Sequence, residues 1–144
     1  MMGLPKPKFL EYFMDLADRT ALLSSSQRLK VGAILVKGTR PILCCYNGTP
    51  DNYYTNVCED EHNTTLPEVV HAEENIITKM AKSTESMEGC DLYLTHNPCR
   101  KCAVLLYQSG IKNVIFKEYY RNPDGIETLK NLGVNVAKYD TIIK

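Results

Sequence analysis

The sequence predicts a three-layer α/β/α sandwich around a five-stranded mixed sheet. Three observations carry that reading. A segment with apolar residues at helical period opens the chain. Two short apolar runs then follow each other across a Lys-Gly-Thr-Arg turn. From about residue 90 onward, strand-like runs alternate with helical ones, the pattern of strands joined by crossover helices.

From residue 8 to about 24, Phe9, Tyr12, Phe13, Leu16, Ala17, Thr20 and Leu23 fall on one stripe and define a first helix, which the Ser24-Ser25-Ser26 run ends. Residues 31–36 read as a strand, turned by Lys37-Gly38-Thr39-Arg40 into a second at 41–46, so the pair is expected as an antiparallel hairpin. Asn47-Gly48-Thr49-Pro50 breaks that strand and opens a polar loop to about residue 67; a loop of such length is more often functional than idle. The second helix has two candidate starts. Thr65 with Glu68 resembles a capping box, while the β-branched pair Val69-Val70 resists helix and favours a start nearer His71. The later start is preferred; it puts His71 and Glu73 in the first turn and directs Ile76, Ile77, Met80 and Ala81 toward the sheet.

A third strand at 90–95 delivers the chain to Pro98, which suits the opening of a third helix running to about 109 with Gly110 as its cap. A strand at 111–116, a helix at 123–132 followed by Gly133, and a last strand at 134–139 complete the order. Neither an internal repeat nor a linker interrupts it, and residues 1–144 are expected to form one domain.

His71-Ala72-Glu73 and Pro98-Cys99-Arg100-Lys101-Cys102 are the residues with the most chemistry in them. Zinc prefers tetrahedral nitrogen and sulfur ligands, and a catalytic site leaves one position for water, so one histidine and two thiolates make a suitable half-open shell. Activating water is half of a deamination; a proton must also reach the departing amine, and Glu73 is suited to carry it. Cys-x-x-Cys at a helix start lets both sulfurs reach one metal where free backbone N–H groups favour thiolates. Alone, a Cys-x-x-Cys is often a redox pair or half of a structural zinc site, and a His-x-Glu is usually polar surface. A redox pair leaves the upstream histidine motif without a role, and a structural site wants a fourth ligand.

Composition agrees with an enzyme of small molecules. The 144 residues are 44% apolar with 17 acidic and 17 basic side chains, and no basic run carries interleaved aromatics, which argues against a nucleic-acid binder. No stretch approaches the roughly 18 consecutive apolar residues of a membrane helix, and the first eight residues lack a signal-peptide core, so a cytoplasmic location with reduced thiols is expected. Beyond Cys99 and Cys102, Cys44, Cys45 and Cys90 lie in or beside strand patterns and are expected as small buried hydrophobes.

Val31-Gly32-Ala33, Tyr46-Asn47-Gly48-Thr49-Pro50, His71-Ala72-Glu73-Glu74-Asn75-Ile76-Ile77 and Thr95-His96-Asn97-Pro98-Cys99-Arg100-Lys101-Cys102 together resemble the cytidine/deoxycytidylate deaminase family, in particular its deoxycytidylate branch. Gln108-Ser109-Gly110-Ile111-Lys112 and Leu132-Gly133-Val134 extend the resemblance to nearly the whole chain. It implies the cytidine deaminase-like fold and hydrolysis of dCMP to dUMP and ammonia. It also implies His71, Cys99 and Cys102 as ligands of one catalytic Zn2+ and Glu73 as proton shuttle. The backbone N–H of Ala72 would meet the pyrimidine carbonyl, and Asn47 the sugar and base. Arg28 is the preferred phosphate partner because relatives carry arginine before Val-Gly-Ala; Arg121 is the rival, beside tyrosines, Tyr120 among them, that would wall the base.

The same resemblance implies a homohexamer activated by dCTP and inhibited by dTTP with Mg2+, at a site between subunits that would involve Gly48, Glu74 and Asn75. Cys45 departs from the family's glycine before Tyr46, which bears on how closely that loop approaches a triphosphate. Ser26 stands where some members place a cysteine of a second, structural zinc, and a second metal at Cys58 and His62 is not expected. The alternatives are another deaminase of this fold, acting on tRNA adenosine, a free base or nucleoside, or a riboflavin precursor, and a non-catalytic zinc-stabilised binding module. An intact Glu73 speaks against the last.

Overall fold

A computed structural model describes residues 3–143. Its elements are α1 (Pro7–Ala21), β1 (Gly32–Lys37), β2 (Arg40–Tyr46), α2 (Ala72–Ala81), β3 (Asp91–His96), α3 (Arg100–Gln108), β4 (Asn113–Glu118), α4 (Asp124–Asn131), β5 (Asn135–Lys138) and a short α5 (Tyr139–Ile142). The five strands form one sheet in the order β2-β1-β3-β4-β5. β1 pairs antiparallel with both β2 and β3, while β3, β4 and β5 run parallel, so the sheet is mixed as expected.

Successive residues of a strand face opposite sides, and the apolar runs of the central strands fill both. Ala33, Leu35, Leu92, Leu94, Val114 and Phe116 point to one face, where they meet Ala72 and Ile76 of α2, Ala103 and Leu106 of α3, and Ile126 and Leu129 of α4. Ile34, Val36, Tyr93 and Ile115 point to the other, against Leu10, Phe13, Met14 and Ala17 of α1, with Tyr139 and Ile142 at its edge. The three layers follow from that two-sided alternation.

Local sequence placed the elements more accurately than their faces. The buried side of α1 is Leu10, Phe13, Met14, Ala17, Thr20 and Ala21. Phe13, Ala17 and Thr20 were on the expected stripe, but Tyr12 is 51% and Leu23 59% exposed. Leu10 and Met14 share the helical spacing with Phe13 and Ala17, and contact with the sheet selects that edge of the apolar arc; Leu23 lies past the helix end. Cys45 and Cys90 are buried as expected, whereas Cys44 is exposed. β2 is an edge strand: among the described residues, no further strand lies on its outer side. The later start of the second helix holds: His71 is the N-cap of α2. The last strand is shorter than expected, and residues 139–142 form α5 in place of its end.

The topology gathers chain ends at one end of the sheet. Since β3 and β4 are parallel and β1 runs against β3 and β2, the carboxyl ends of β2, β3 and β4 lie beside the start of β1, which is where open α/β sheets hold their ligands. α3 and α4 begin directly after β3 and β4. Gly48 and Val70 exchange backbone hydrogen bonds of 3.1 and 2.7 Å, bringing the start of α2 beside the end of β2.

Gly32, the first residue of β1, sits against α1 so tightly that a Cβ there would overlap the carbonyl oxygen of Ala17. Backbone on both sides leaves no flexible side chain to yield. Gly32→Ala is expected to destabilise the chain by about 2 kcal/mol, roughly 6 °C in Tm, as overpacking of a close-packed interior does; thermal and urea melts check this.

Candidate active site

Two helix starts face each other across the gathered end of the sheet. His71 is the N-cap of α2 and Cys99 the N-cap of α3, both in extended backbone conformation. Glu74 closes the start of α2 by accepting the backbone N–H of His71 at 2.8 Å. Cys99 Sγ accepts the backbone N–H of Cys102 at 3.4 Å, so the first cysteine caps its helix while the second sits one turn inside it. The ring Nδ1 of His71 lies 3.4 Å from Cys102 Sγ and 3.9 Å from Cys99 Sγ.

The ligand atoms of His71, Cys99 and Cys102 all lie within 4.8 Å of one another. With Zn–S near 2.3 Å and Zn–N near 2.05 Å, tetrahedral geometry puts nitrogen and sulfur about 3.6 Å apart. The two observed separations bracket that value, and the set of one imidazole and two thiols suits zinc. Together they leave a fourth position to a small molecule.

Electrostatics at the triangle are those of groups sharing protons. Hydrogen bonds from Cys102 and His71 hold the Cys99 thiol down to about 3, while Cys102, hydrogen-bonded to Cys99 and more deeply buried, is pushed up. The hydrogen bond to Cys99 raises His71 to about 8. A dication would displace these protons, since it binds thiolates and a neutral imidazole. Glu73 is buried on the same turn as His71, and desolvation pushes its carboxyl up to about 7.

His71, Glu73 and Cys99 open into a cavity of about 530 Å3, the size of a nucleotide-like ligand rather than of a single water. Asn47, Ala72 and Glu73 line it on one side, His96 to Lys101 on another, and Tyr120 to Asn122 close it. Asn47 ties its wall together: its Oδ1 accepts from Val31 N at 2.9 Å and its Nδ2 donates to Leu29 O at 2.8 Å. A carboxamide has two acceptor lone pairs and two donors, so one of each remains for a ligand. Ala72 is the first residue of α2, where backbone N–H groups have no partner within the helix.

The rim is cationic. Arg28, Arg100, Lys101 and Arg121 line the cavity, with Asp124 pairing to Arg100 at 2.9 Å. Arg28 and Arg121 therefore both reach this cavity. Tyr120 lies in the lining with the Arg121 guanidinium 5.0 Å from its ring centre, and His96 meets the same ring edge-on at 6.2 Å. Tyr119 instead packs on Phe116 and is two-thirds exposed, outside the lining.

Gly48, Glu74 and Asn75 do not line the cavity. They form a seam behind it, where Asn75 Nδ2 donates to Tyr46 O at 2.9 Å. Cys58 is buried beside the Ser25 hydroxyl at 3.5 Å, and His62 is exposed with Glu61 3.6 Å from its Nε2.

Two contributors were missed from sequence. Asn97 is buried and clamps the far wall, its Oδ1 accepting from Tyr120 N at 2.6 Å and its Nδ2 donating to Asn122 O at 3.2 Å; between them Arg121 adopts a left-handed φ of 59°. Gly125, in the first turn of α4, lies so near Pro98 that a Cβ would overlap the Pro98 carbonyl, so its lack of a side chain lets α4 press on the loop that carries Cys99. An asparagine beside a proline and a glycine in a helix carry no local mark of such contacts.

The model of the cytidine and deoxycytidylate deaminase zinc-binding region matches residues 7–118. In structure the chain is similar to the dCMP deaminase of the cyanophage S-TIM5, solved in complex with dCMP and dUMP, with a TM-score of 0.92 and 44% identity over 94% of this chain and 99% of that one. It is 31% identical to the deoxycytidylate deaminase of Saccharomyces cerevisiae over 96% of its length, and 37% identical to that of Homo sapiens over 79%. The chain spans about half (47%) of the yeast protein and 67% of the human one. Matched over these residues, with the His71, Cys99 and Cys102 cluster at its centre, the chain belongs to the cytidine and deoxycytidylate deaminase family.

Proposed function

We propose that the chain hydrolyses dCMP to dUMP and ammonia, with one zinc ion held by His71, Cys99 and Cys102. The observation that carries this reading is the convergence of those three ligand atoms beside the buried carboxyl of Glu73, in a nucleotide-sized cavity with a cationic rim. Similarity to a phage dCMP deaminase over nearly the full length of both chains supports the choice of substrate.

Bound zinc would lower the pKa of a water molecule and so supply the nucleophile at neutral pH. Glu73 takes the proton that water gives up as its oxygen attacks C4 of the cytosine ring, passes it to the ring nitrogen, and then relays the proton of the new C4 hydroxyl to the amine. The C4–N bond breaks, ammonia leaves, and the ring keeps the oxygen as a carbonyl, which balances water plus dCMP against dUMP plus ammonia. The Ala72 N–H holds the ring carbonyl already present, and Asn47 uses its remaining donor and acceptor on sugar and base. Tyr120 walls the base. Arg28 meets the phosphate with its forked guanidinium; the excess of positive charge at the rim favours a nucleotide over a free nucleoside.

In the same reading the product feeds thymidylate synthesis, and residues 1–144 act as one domain in the cytoplasm. No described helix is long and apolar enough to cross a membrane. A hexamer would place the seam of Gly48, Glu74 and Asn75 between subunits, with dCTP activating there and dTTP with Mg2+ inhibiting. The seam supports this by joining the end of β2 to the first turn of α2, two residues from Glu73.

Ammonia release from dCMP, dCTP, deoxycytidine and adenosine, assayed side by side, is expected to be fastest with dCMP. Glu73→Gln should lower kcat by about 10^3 while zinc content stays at that of the unsubstituted chain; retained activity, or adenosine as the better substrate, contradicts the reading. Rates at low dCMP should rise with dCTP and fall with dTTP and Mg2+. A curve unmoved by either triphosphate removes the regulatory part alone.

A further inference from the structure

Outside the residues given roles above, one buried carboxylate is committed to the rim of the cavity. Glu59 lies in the long loop after β2, within a short return of the chain in which Glu59 bridges to Thr65 and the Cys58 carbonyl accepts from Leu66 N at 2.8 Å. Asp60 stiffens the return by accepting from the backbone of His62 at 2.8 Å and of Thr64 at 3.0 Å. Glu59 itself is only 8% exposed.

Its partners are on a segment far away in sequence. Glu59 Oε2 accepts from the Ser26 hydroxyl at 2.7 Å and from the backbone N–H groups of Gln27 and Arg28, each at 3.1 Å; Oε1 takes a second contact from Gln27 N at 3.2 Å. Burial alone would raise this carboxyl, but the Ser26 hydroxyl and the Arg28 and Gln27 amides outweigh it and hold the group below the usual carboxylate range. The Arg28 guanidinium reaches the same return of chain, donating from Nη1 to Thr65 Oγ1 at 3.3 Å.

Ser26 and Arg28 both line the cavity. They sit in the connection between α1 and β1, which belongs to neither helix nor sheet and so has no ladder to fix it. Asn47 fixes its later end at Leu29 and Val31, and Glu59 fixes its middle. Freed of Glu59, three donors would turn to water and Arg28 would sample many orientations.

We propose that Glu59 is a positioning residue for substrate: it fixes the 26–28 turn so that Arg28 is preset to receive the phosphate. This rests on the reading of Arg28 as the phosphate partner. Presetting a long cationic side chain removes ordering that binding would otherwise impose, so the effect belongs in binding of the phosphorylated substrate and not in the chemical step. Its sign is informative. A carboxylate acting only as a nearby charge repels phosphate, and neutralising it would tighten binding; a carboxylate acting through Arg28 has the opposite effect.

The test is steady-state kinetics of the full chain with dCMP and with deoxycytidine, for Glu59→Gln, Glu59→Asp, Arg28→Ala and the Arg28→Ala/Glu59→Gln pair, with a thermal melt of each. Glutamine keeps the shape but not the charge, and with its oxygen in the Oε2 place it turns an amide N–H toward the Gln27 N–H that Oε1 accepts. Glu59→Gln should raise KM for dCMP about tenfold, the effect of one lost charged hydrogen-bond set, with kcat and the deoxycytidine kcat/KM within about twofold. Glu59→Asp, which keeps both acceptor oxygens on a shorter arm, should fall between. Arg28→Ala should show the same selectivity, and the double variant should be little worse than Arg28→Ala, because residues acting through one contact are not additive. A lowered or unchanged KM in Glu59→Gln, equal losses on both substrates, or full additivity overturns the positioning role. If Arg28→Ala is selective and Glu59→Gln is not, only that role falls; if Arg28→Ala treats both substrates alike, the phosphate reading falls and takes the proposal with it.

Discussion

The arrangement depends on two helices starting at the same end of the sheet, each with its N-cap residue turned toward the other. His71 and Cys99 are those caps. A helix N-terminus presents unpaired N–H groups and a partial positive charge, which favours thiolate at Cys99, whose Sγ accepts the Cys102 N–H. One residue inserted just inside either helix would turn its cap by about 100° relative to the helix's buried face. The parallel pairing of β3 with β4 and the antiparallel pairing of β1 with β2 and β3 keep both caps at one end, and the apolar alternation of the central strands holds that pairing in register.

Around that pair, three segments without secondary structure complete the cavity, each held by side-chain bonds. Asn47 secures residues 29–31, Asn97 secures 120–122, and Glu59 secures 26–28. Loops positioned this way present Arg28, Tyr120 and Arg121 on a rigid frame, as binding residues commonly are. Gly125 belongs to the same scheme, since the start of α4 reaches Pro98 only where no side chain intervenes.

Much of this was legible in the sequence because its signals are local. Periods of two and of 3.6 placed every strand and every long helix, and the Val69-Val70 pair correctly moved the second helix start to His71. His-Ala-Glu and Pro-Cys-x-x-Cys named the residues that converge. Which edge of the α1 stripe is buried was not legible: Tyr12 and Leu10 both satisfy helical spacing, and contact with the sheet selects Leu10. Cys44 follows an apolar pattern, yet it lies on an edge strand most of whose residues are only partly covered. Glu59 looked like one acid in an acidic run; its partners lie 31 to 33 residues away, a separation no short motif spans.

The central claim is that the two helix starts form a three-ligand site with one position open beside Glu73. X-ray absorption at the zinc edge of the purified protein tests it directly. Two sulfur neighbours near 2.3 Å and two lighter nitrogen or oxygen neighbours near 2.0–2.1 Å are the expected shell, one of the lighter pair exchanging when substrate or product is added. A shell of three or four sulfurs, or one unchanged by any ligand, would contradict the account.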